Sequence, residues 1–146
     1  MRNISTVDFI KSIARQLGWN GQKDNQSRKA LSDLKDMSTM WGDIPFIDVF
    51  RRTWNFYDEL KQYGVEDNGF VFIHCREPEE IEKIKSKMSL PVVTLLIRRP
   101  GDRFYQNHAD DNVEAYTYDY IINNDDTLNT LRLKAQSFID TLRKQA

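Results

Sequence analysis

The sequence has little of what several classes of function require. Its single cysteine, Cys75, leaves no pair for a disulfide within the chain and is typical of a reducing compartment. No apolar run approaches the roughly 20 residues that span a bilayer, and the N-terminus has no apolar leader segment. A formal net charge of -1 provides no overall field that attracts nucleic acid or anionic membrane. These absences predict a cytoplasmic protein that binds neither a membrane nor a nucleic acid polymer.

Glycine is also scarce, and its spacing excludes one motif. The six glycines lie at positions 18, 21, 42, 64, 69 and 101, and none forms the pattern G-x-x-x-x-G-K-[ST] that cradles nucleotide phosphates. The segment from Gly18 to Lys23 comes nearest, but its spacing differs and it follows a predicted helix rather than a strand. Phosphoryl transfer uses the lysine and the magnesium-binding hydroxyl of that loop. The sequence therefore argues against a phosphoryl-transfer enzyme.

The sequence offers no strong candidate for a set of metal ligands or for a catalytic nucleophile. The two histidines, His74 and His108, form no Cys/His spacing of a metal site and no catalytic triad pattern. Asp110, Asp111 and Asp119 offer carboxylates for a metal or a ribose hydroxyl, although helix capping explains the first two equally well. The sequence therefore predicts no metal and no cofactor, and it leaves Asn107 and Asp110 as ligand candidates.

Hydrophobic spacing divides the chain into a helical part and a part in which strands alternate with helices. After an edge strand at Arg2 to Ile4, apolar residues recur at helical spacing in three segments that end near Gly64. The runs Phe70 to Ile73, Val92 to Ile97 and Tyr118 to Ile122 predict strands, the first two covered on both faces. Helices are predicted from Glu77, from about Asp111 to Tyr116, and after Asn124. Trp41 and Trp54 lie on helical apolar stripes and are predicted to be core residues.

This order predicts an α/β protein. The expected architecture is a three-layer sandwich with a small, mainly parallel sheet flanked by helices, in a single domain of residues 1–146. Ligands of such sheets lie beyond the carboxyl ends of the strands.

Arginines follow two of the predicted strands. Arg76 lies between a strand and a helix start, where a guanidinium and free backbone N–H groups both suit phosphate. Arg98 and Arg99 end the next strand, and Arg103 follows in a loop. The alternatives are a salt bridge from Arg76 to Glu79 or Glu80, and an ordinary solvated loop for the other three. We expect the four arginines to form a local anion site.

A second group of candidates lies between the first two predicted helices. Lys23 and Arg28 flank a helix start beside Trp19, so the indole could stack on a base while the cations hold phosphate. The alternative is that Trp19 is a core residue that closes the first helix.

The sequence resembles a known family in several segments. The matching segments are Ile4 to Lys11, Gly18 to Asp24, Ser27 to Lys35, Phe72 to Glu80, Thr94 to Arg99, Asn107 to Asp110 and Tyr118 to Asn124. In their order and spacing these segments resemble phage and bacterial P-loop kinases of the deoxynucleoside-monophosphate-kinase-like or adenylate-kinase-like type. The resemblance implies a substrate-side region at Trp19, Lys23 and Arg28. It also implies a phosphate-facing Arg76, and a lid with Arg98 and Arg99 that has Asn107 and Asp110 on or beside it.

One departure from the family shapes the functional expectation. Family members open with a central strand and a glycine-rich phosphate loop ahead of the segment that begins here at Asn3. Without that strand, we expect either that Phe70 to Ile73 pairs with Val92 to Ile97 or that the chain forms a dimer or higher oligomer, because unpaired buried backbone groups are costly.

Three functions follow from these observations. The first is a non-catalytic nucleotide-binding protein that captures a nucleotide or cyclic nucleotide; in a phage it would be a sponge for a cyclic nucleotide signal of antiviral defence. The second is a (deoxy)nucleoside monophosphate kinase with a truncated start. The third is a protein-interaction scaffold that uses the aromatic-rich segment from Trp41 to Tyr63.

Overall fold

The computed structural model describes residues 1–65, 69–99 and 113–145. The chain divides into two compact units, Met1–Cys75 and Arg76–Ala146. Each unit combines helices with one parallel pair of strands, which confirms the α/β class. No helix in these three ranges is both long enough and apolar enough to cross a membrane.

The first unit has two strands and three helices. They are β1 (Arg2–Ser5), α1 (Asp8–Gln16), α2 (Asn25–Gly42), α3 (Ile44–Gln62) and β2 (Val71–His74). β1 and β2 are parallel, with Arg2 opposite Val71 and Ser5 opposite His74. The three helices form the crossover that a parallel pair requires. Ile4, Ile10, Val49 and Phe56 are buried and form the core of this unit.

Local sequence signals explain the helix boundaries. α2 begins where the Asp24 side chain accepts the backbone N–H of Ser27 at 2.7 Å, which satisfies an N–H group that the helix leaves unpaired. It ends at Asp43, whose φ of 58° is left-handed and turns the chain directly into α3. Pro45 occupies the first turn of α3, where its missing N–H costs little.

The second unit contains the other parallel pair. Its elements are α4 (Pro78–Lys87), β3 (Leu95–Arg98), a 3₁₀ turn (Val113–Ala115), β4 (Tyr120–Asn123) and α5 (Leu128–Gln145). β3 and β4 run parallel, with Leu95 opposite Tyr120 and Arg98 opposite Asn123. α5 packs on β4, where the Tyr120 and Phe138 rings meet edge to face with centroids 5.2 Å apart.

Two predictions of burial were wrong. The run from Val92 to Ile97 is not covered on both faces, because Val93 is 42% exposed and Ile97 is 58% exposed. Trp41 is 76% exposed rather than core, whereas Trp54 is half-buried. Periodicity shows which residues share a face of a helix or strand, but the cover on that face comes from other elements.

The predicted pairing of Phe70 to Ile73 with Val92 to Ile97 is also not formed within the described ranges. There β2 pairs with β1, and β3 pairs with β4, in two separate sheets. Sequence proximity does not explain this choice, because β2 and β3 are nearer in the chain than β1 and β2 and are joined by a single helix, α4.

Candidate functional site

The carboxyl ends of β3 and β4 lie side by side in the second unit. Arg98 is directly opposite Asn123, and the backbone N–H of Asn124 donates to the Arg98 carbonyl oxygen at 2.7 Å. This contact extends the strand pairing by one residue beyond the sheet. An arginine and two asparagines, which donate and accept hydrogen bonds, therefore share the edge at which α/β sheets bind ligands.

The Arg98 side chain is held by a carboxylate. Its Nε donates to Glu114 Oε1 at 3.2 Å, and its terminal nitrogen donates to Glu114 Oε2, so the pair is bidentate. The hydrogen bond from Arg98 holds the pKa of Glu114 below its ordinary value. Both side chains are exposed, so an incoming phosphate would compete with Glu114 for the same guanidinium face.

Lys134 adds a second cation to this edge and was missed from the sequence. From α5, its Nζ donates to the carbonyl oxygen of Asn123 at 2.7 Å and to Asp125 Oδ1 at 2.8 Å. The hydrogen bond from Lys134 lowers the pKa of Asp125. The sequence carries no local signal for this contact. The side chains of this edge are called the β3–β4 end cluster below: Arg98, Glu114, Asn123, Asn124, Asp125 and Lys134.

Arg76 and Arg99 both lie in the second unit. Arg99 is exposed and follows Arg98 directly. Arg76 is exposed and precedes Glu77, the N-cap of α4, whose side chain makes no capping hydrogen bond. The first N–H groups of α4 therefore have no cap from that residue, which is the local arrangement that the phosphate hypothesis for Arg76 requires.

Trp19, Lys23 and Arg28 lie in the first unit, along the connection from α1 to the start of α2. Trp19 is half-buried, and its Nε1 donates to the carbonyl oxygen of Gln22 at 2.9 Å. The guanidinium of Arg15 lies 5.5 Å from the Trp19 ring centroid. A base that stacked on that face would have to displace Arg15. Lys23 and Arg28 are exposed.

A charged cluster at the carboxyl end of β1 was also missed from the sequence. Arg52 NH1 is 2.9 Å from Asp8 Oδ2 and 3.6 Å from Asp48 Oδ2, and Arg51 is 2.8 Å from Asp48 Oδ1. Asp8 also accepts the backbone N–H of Ser5 at 3.0 Å. Partial burial would raise the pKa of Asp8, but the hydrogen bonds from Arg52 and Ser5 and the charges of Arg52 and Lys11 outweigh it and lower the pKa. The Arg52–Asp8 pair ties α3 to the first residue of α1, and Asp8 in turn holds Ser5 at the end of β1. This is a structural role for Arg52.

Three predicted site residues, Arg103, Asn107 and Asp110, lie outside the described residues. Among the residues that are described, no group of three or more His, Cys, Asp or Glu side chains could hold a metal ion. No family model, curated protein or solved structure matches the chain. The functional argument therefore depends on the geometry of the chain itself.

Proposed function

We propose that the protein is a non-catalytic nucleotide-binding protein that captures the phosphate of a nucleotide at the β3–β4 end cluster. Arg98, Arg99 and Lys134 supply the positive charge, and Asn123 and Asn124 supply amide groups for the sugar or the base. The fold would be a single degenerate kinase-like domain, a three-layer sandwich, in the cytoplasm. Its ligand class would include cyclic nucleotides, and in a phage it would act as a sponge for a cyclic nucleotide defence signal.

One observation carries this proposal. The parallel pairing of β3 and β4 brings Arg98 beside Asn123, and Lys134 Nζ lies 2.7 Å from the Asn123 carbonyl oxygen. A guanidinium offers a planar fork of donors to phosphate, and the ammonium group adds a second charge. The carboxyl end of a parallel sheet is the common ligand position in α/β folds.

We expect the protein to bind its ligand without converting it into a product. The sequence contains no glycine-rich loop with the lysine and hydroxyl that phosphoryl transfer uses. We therefore expect the bound ligand to be recovered chemically unchanged after the protein is denatured.

The proposal is tested by isothermal titration against mononucleotides, dinucleotides and cyclic nucleotides. Lys134→Gln should weaken the binding of the best ligand about tenfold, because a charged hydrogen bond to phosphate is lost. Arg132→Gln is the matched control, because Arg132 is an exposed cation on the same helix outside the end cluster. The proposal fails if no member of the panel binds at millimolar concentration, or if both variants lose affinity equally.

Glu114→Gln tests the same site in the opposite direction. It removes the carboxylate that competes for Arg98 and the charge that repels an anion, so affinity should rise about two- to five-fold. A decrease in affinity would place the ligand elsewhere.

The same experiments separate the alternatives. Phosphorylated product from ATP and a nucleoside monophosphate would favour the truncated kinase. The protein-interaction scaffold has one observation in its favour: Met40, Trp41 and Ile47 are exposed around the turn from α2 to α3. If no nucleotide binds, native mass spectrometry of a protein complex that depends on Trp41 becomes the decisive measurement.

A further inference from the structure

In the described part of the chain, no strand pairs with the outer edge of β3. The carbonyl oxygens of Thr94 and Arg98 accept hydrogen bonds from the N–H groups of Tyr120 and Asn124. In a strand, the main-chain groups of alternate residues point to opposite edges, so those of Leu95 and Ile97 point away from β4. Within the described ranges the sheet order gives these two residues no strand on that side.

Aliphatic side chains border this edge. Leu95 and Ile97 alternate along β3 and so lie on one face, where Ile97 is 58% exposed. Val93, two residues before the strand, is 42% exposed. Tyr120 and Ile122 lie opposite Leu95 and Ile97 on that face, where α5 packs on β4. The helix therefore covers the β4 side of the face and leaves the β3 side exposed. An unpaired edge next to exposed aliphatic side chains is a template for strand pairing.

The other described strand edges differ from this one. On β4, the main-chain groups of Ile121 and Asn123 point outward, and Lys134 Nζ occupies the carbonyl oxygen of Asn123 at 2.7 Å. On β1, the carboxylate of Asp8 accepts the outward N–H of Ser5 at 3.0 Å. On β2, the outward residues Val71 and Ile73 are half-buried rather than exposed. The β3 edge thus combines unpaired groups with the most exposed aliphatic strand residue of these pairs, Ile97.

We propose that a second copy of this chain pairs with the β3 edge, strand against strand in antiparallel orientation about a twofold axis. Leu95 then exchanges both main-chain hydrogen bonds with the partner's Ile97, and Ile97 does the same with the partner's Leu95. The twofold axis places the exposed faces of both strands on the same side of the joined sheet. The two Leu95–Ile97 pairs become aliphatic cross-strand contacts that cover Ile97.

The charge pattern favours a second copy in this orientation. The run from Val92 to Ile97 has no charged residue, and Arg98 and Arg99 follow it directly. Antiparallel pairing places the arginines of the two copies at opposite ends of the joined strands. Parallel pairing would place them side by side, which is destabilising. Isologous twofold contacts are also the commonest interfaces between identical chains.

The size of the contact sets its strength. A four-residue strand edge buries less than the roughly 1,200–2,000 Å² that stable interfaces bury. The expected dimer is therefore weak and dependent on concentration, with a dissociation constant in the micromolar range or above.

The test is a concentration series by sedimentation velocity on the full chain, from low micromolar to sub-millimolar protein. The wild type should shift from monomer to dimer across the series. Ile97→Lys should weaken the dimer about tenfold or more, because it buries two ammonium groups in the joined sheet. Ile121→Lys is the matched control, because Ile121 is 50% exposed on β4 of the same sheet, and it should dimerise as the wild type does.

Amide hydrogen exchange of the wild type gives a second measurement that requires no substitution. Raising the protein concentration should slow the exchange of the Leu95 and Ile97 amides and leave that of the Ile121 amide unchanged. A wild type that stays monomeric throughout the series overturns the proposal. So does a dimer that Ile97→Lys leaves intact, that Ile121→Lys weakens equally, or that forms without protection of the two β3 amides. Nucleotide binding plays no part in these outcomes.

Discussion

At the scale of single residues, Gly69 shows how one small side chain lets two elements meet. A Cβ atom at this position would lie 2.3 Å from Leu60 Cδ1 and 3.3 Å from carbons of the Phe56 and Tyr57 rings. The Tyr57 hydroxyl donates to the carbonyl oxygen of Gly69 at 3.1 Å. The segment that enters β2 therefore packs directly against the end of α3. Only glycine fits there without displacing Leu60.

We expect Gly69→Ala to destabilise the protein by about 1 kcal/mol, the low end of the cost of added volume in a packed site, because Leu60 Cδ1 is the end of a side chain that can move. Chemical denaturation measures this change. Leu60→Ala removes the atom that a new Cβ would strike, so the double variant should lose less stability than the sum of the two single variants. If the losses of the two single variants simply added in the double variant, contact between the new Cβ and Leu60 would not be the cause of the destabilisation.

At the scale of elements, a clamp of three hydrogen bonds ties the chain before β3 to the chain before β4. Asp119 Oδ2 accepts the backbone N–H of Thr94 at 2.8 Å and its hydroxyl at 2.7 Å. The Thr94 hydroxyl oxygen accepts the backbone N–H of Asp119 at 2.9 Å. The backbone hydrogen bond from Thr94 is the main reason that the pKa of Asp119 lies below its ordinary value. The clamp fixes the register at the amino ends of the two strands, so it also aligns the carboxyl ends, which carry Arg98 and Asn123.

Thr94→Val should lower the free energy of unfolding by about 1–2 kcal/mol, because the buried hydroxyl of Thr94 no longer donates to the Asp119 carboxylate or accepts its backbone N–H. Asp119 is exposed, so water replaces part of the loss. Thr94→Ser keeps the hydroxyl and is the control, with a smaller loss from the missing methyl group. Urea denaturation of the two variants decides the question. Equal losses would mean that the methyl group, rather than the clamp, carries the stability.

At the scale of the whole molecule, carboxylates near the ends of helices and strands make the free energy of unfolding depend on pH. The pKa values of five of them, Asp8, Asp24, Glu114, Asp119 and Asp125, are all lowered in the folded state. A lowered folded pKa gives stability that is fully present above the unfolded value and is lost as the pH falls through the folded value. Those unfolded values are close to 3.8 for aspartate and 4.5 for glutamate.

We therefore expect the free energy of unfolding to be nearly constant above about pH 5.5 and to fall steadily below about pH 4. A series of urea denaturation curves from neutral to acidic pH measures this dependence. Asp8→Asn should flatten part of the acid slope, because it removes the group that pairs with Arg52. A profile that is unchanged in this variant would show that the Asp8–Arg52 pair does not contribute.

Helix positions could be predicted from the sequence because their signals are local. Each signal lies within a few residues: Asp24 caps α2 by accepting the Ser27 N–H, Pro45 lies in the first turn of α3, and α4 begins with acidic residues. Arg98 at the end of a parallel strand was predicted correctly for the same reason. Arg52 was not predicted, because it reaches Asp8 only after α3 has packed beside α1. Lys134 was not predicted either, because its contacts with Asn123 and Asp125 depend on how α5 folds back against the end of β4.

The sequence by itself determined the α/β class, the helices and the absence of a glycine-rich phosphate loop, since composition, capping and periodicity act over short distances. Only the tertiary structure decided which strands pair, that Ile97 and Trp41 are exposed, and that Lys134 binds the carbonyl oxygen at the end of β4. Strand pairing and burial are contacts between distant segments, and their free energy depends on which faces meet. The spacing of apolar residues in the sequence shows that one face of a helix or strand is apolar, but only the folded structure shows which element packs on that face.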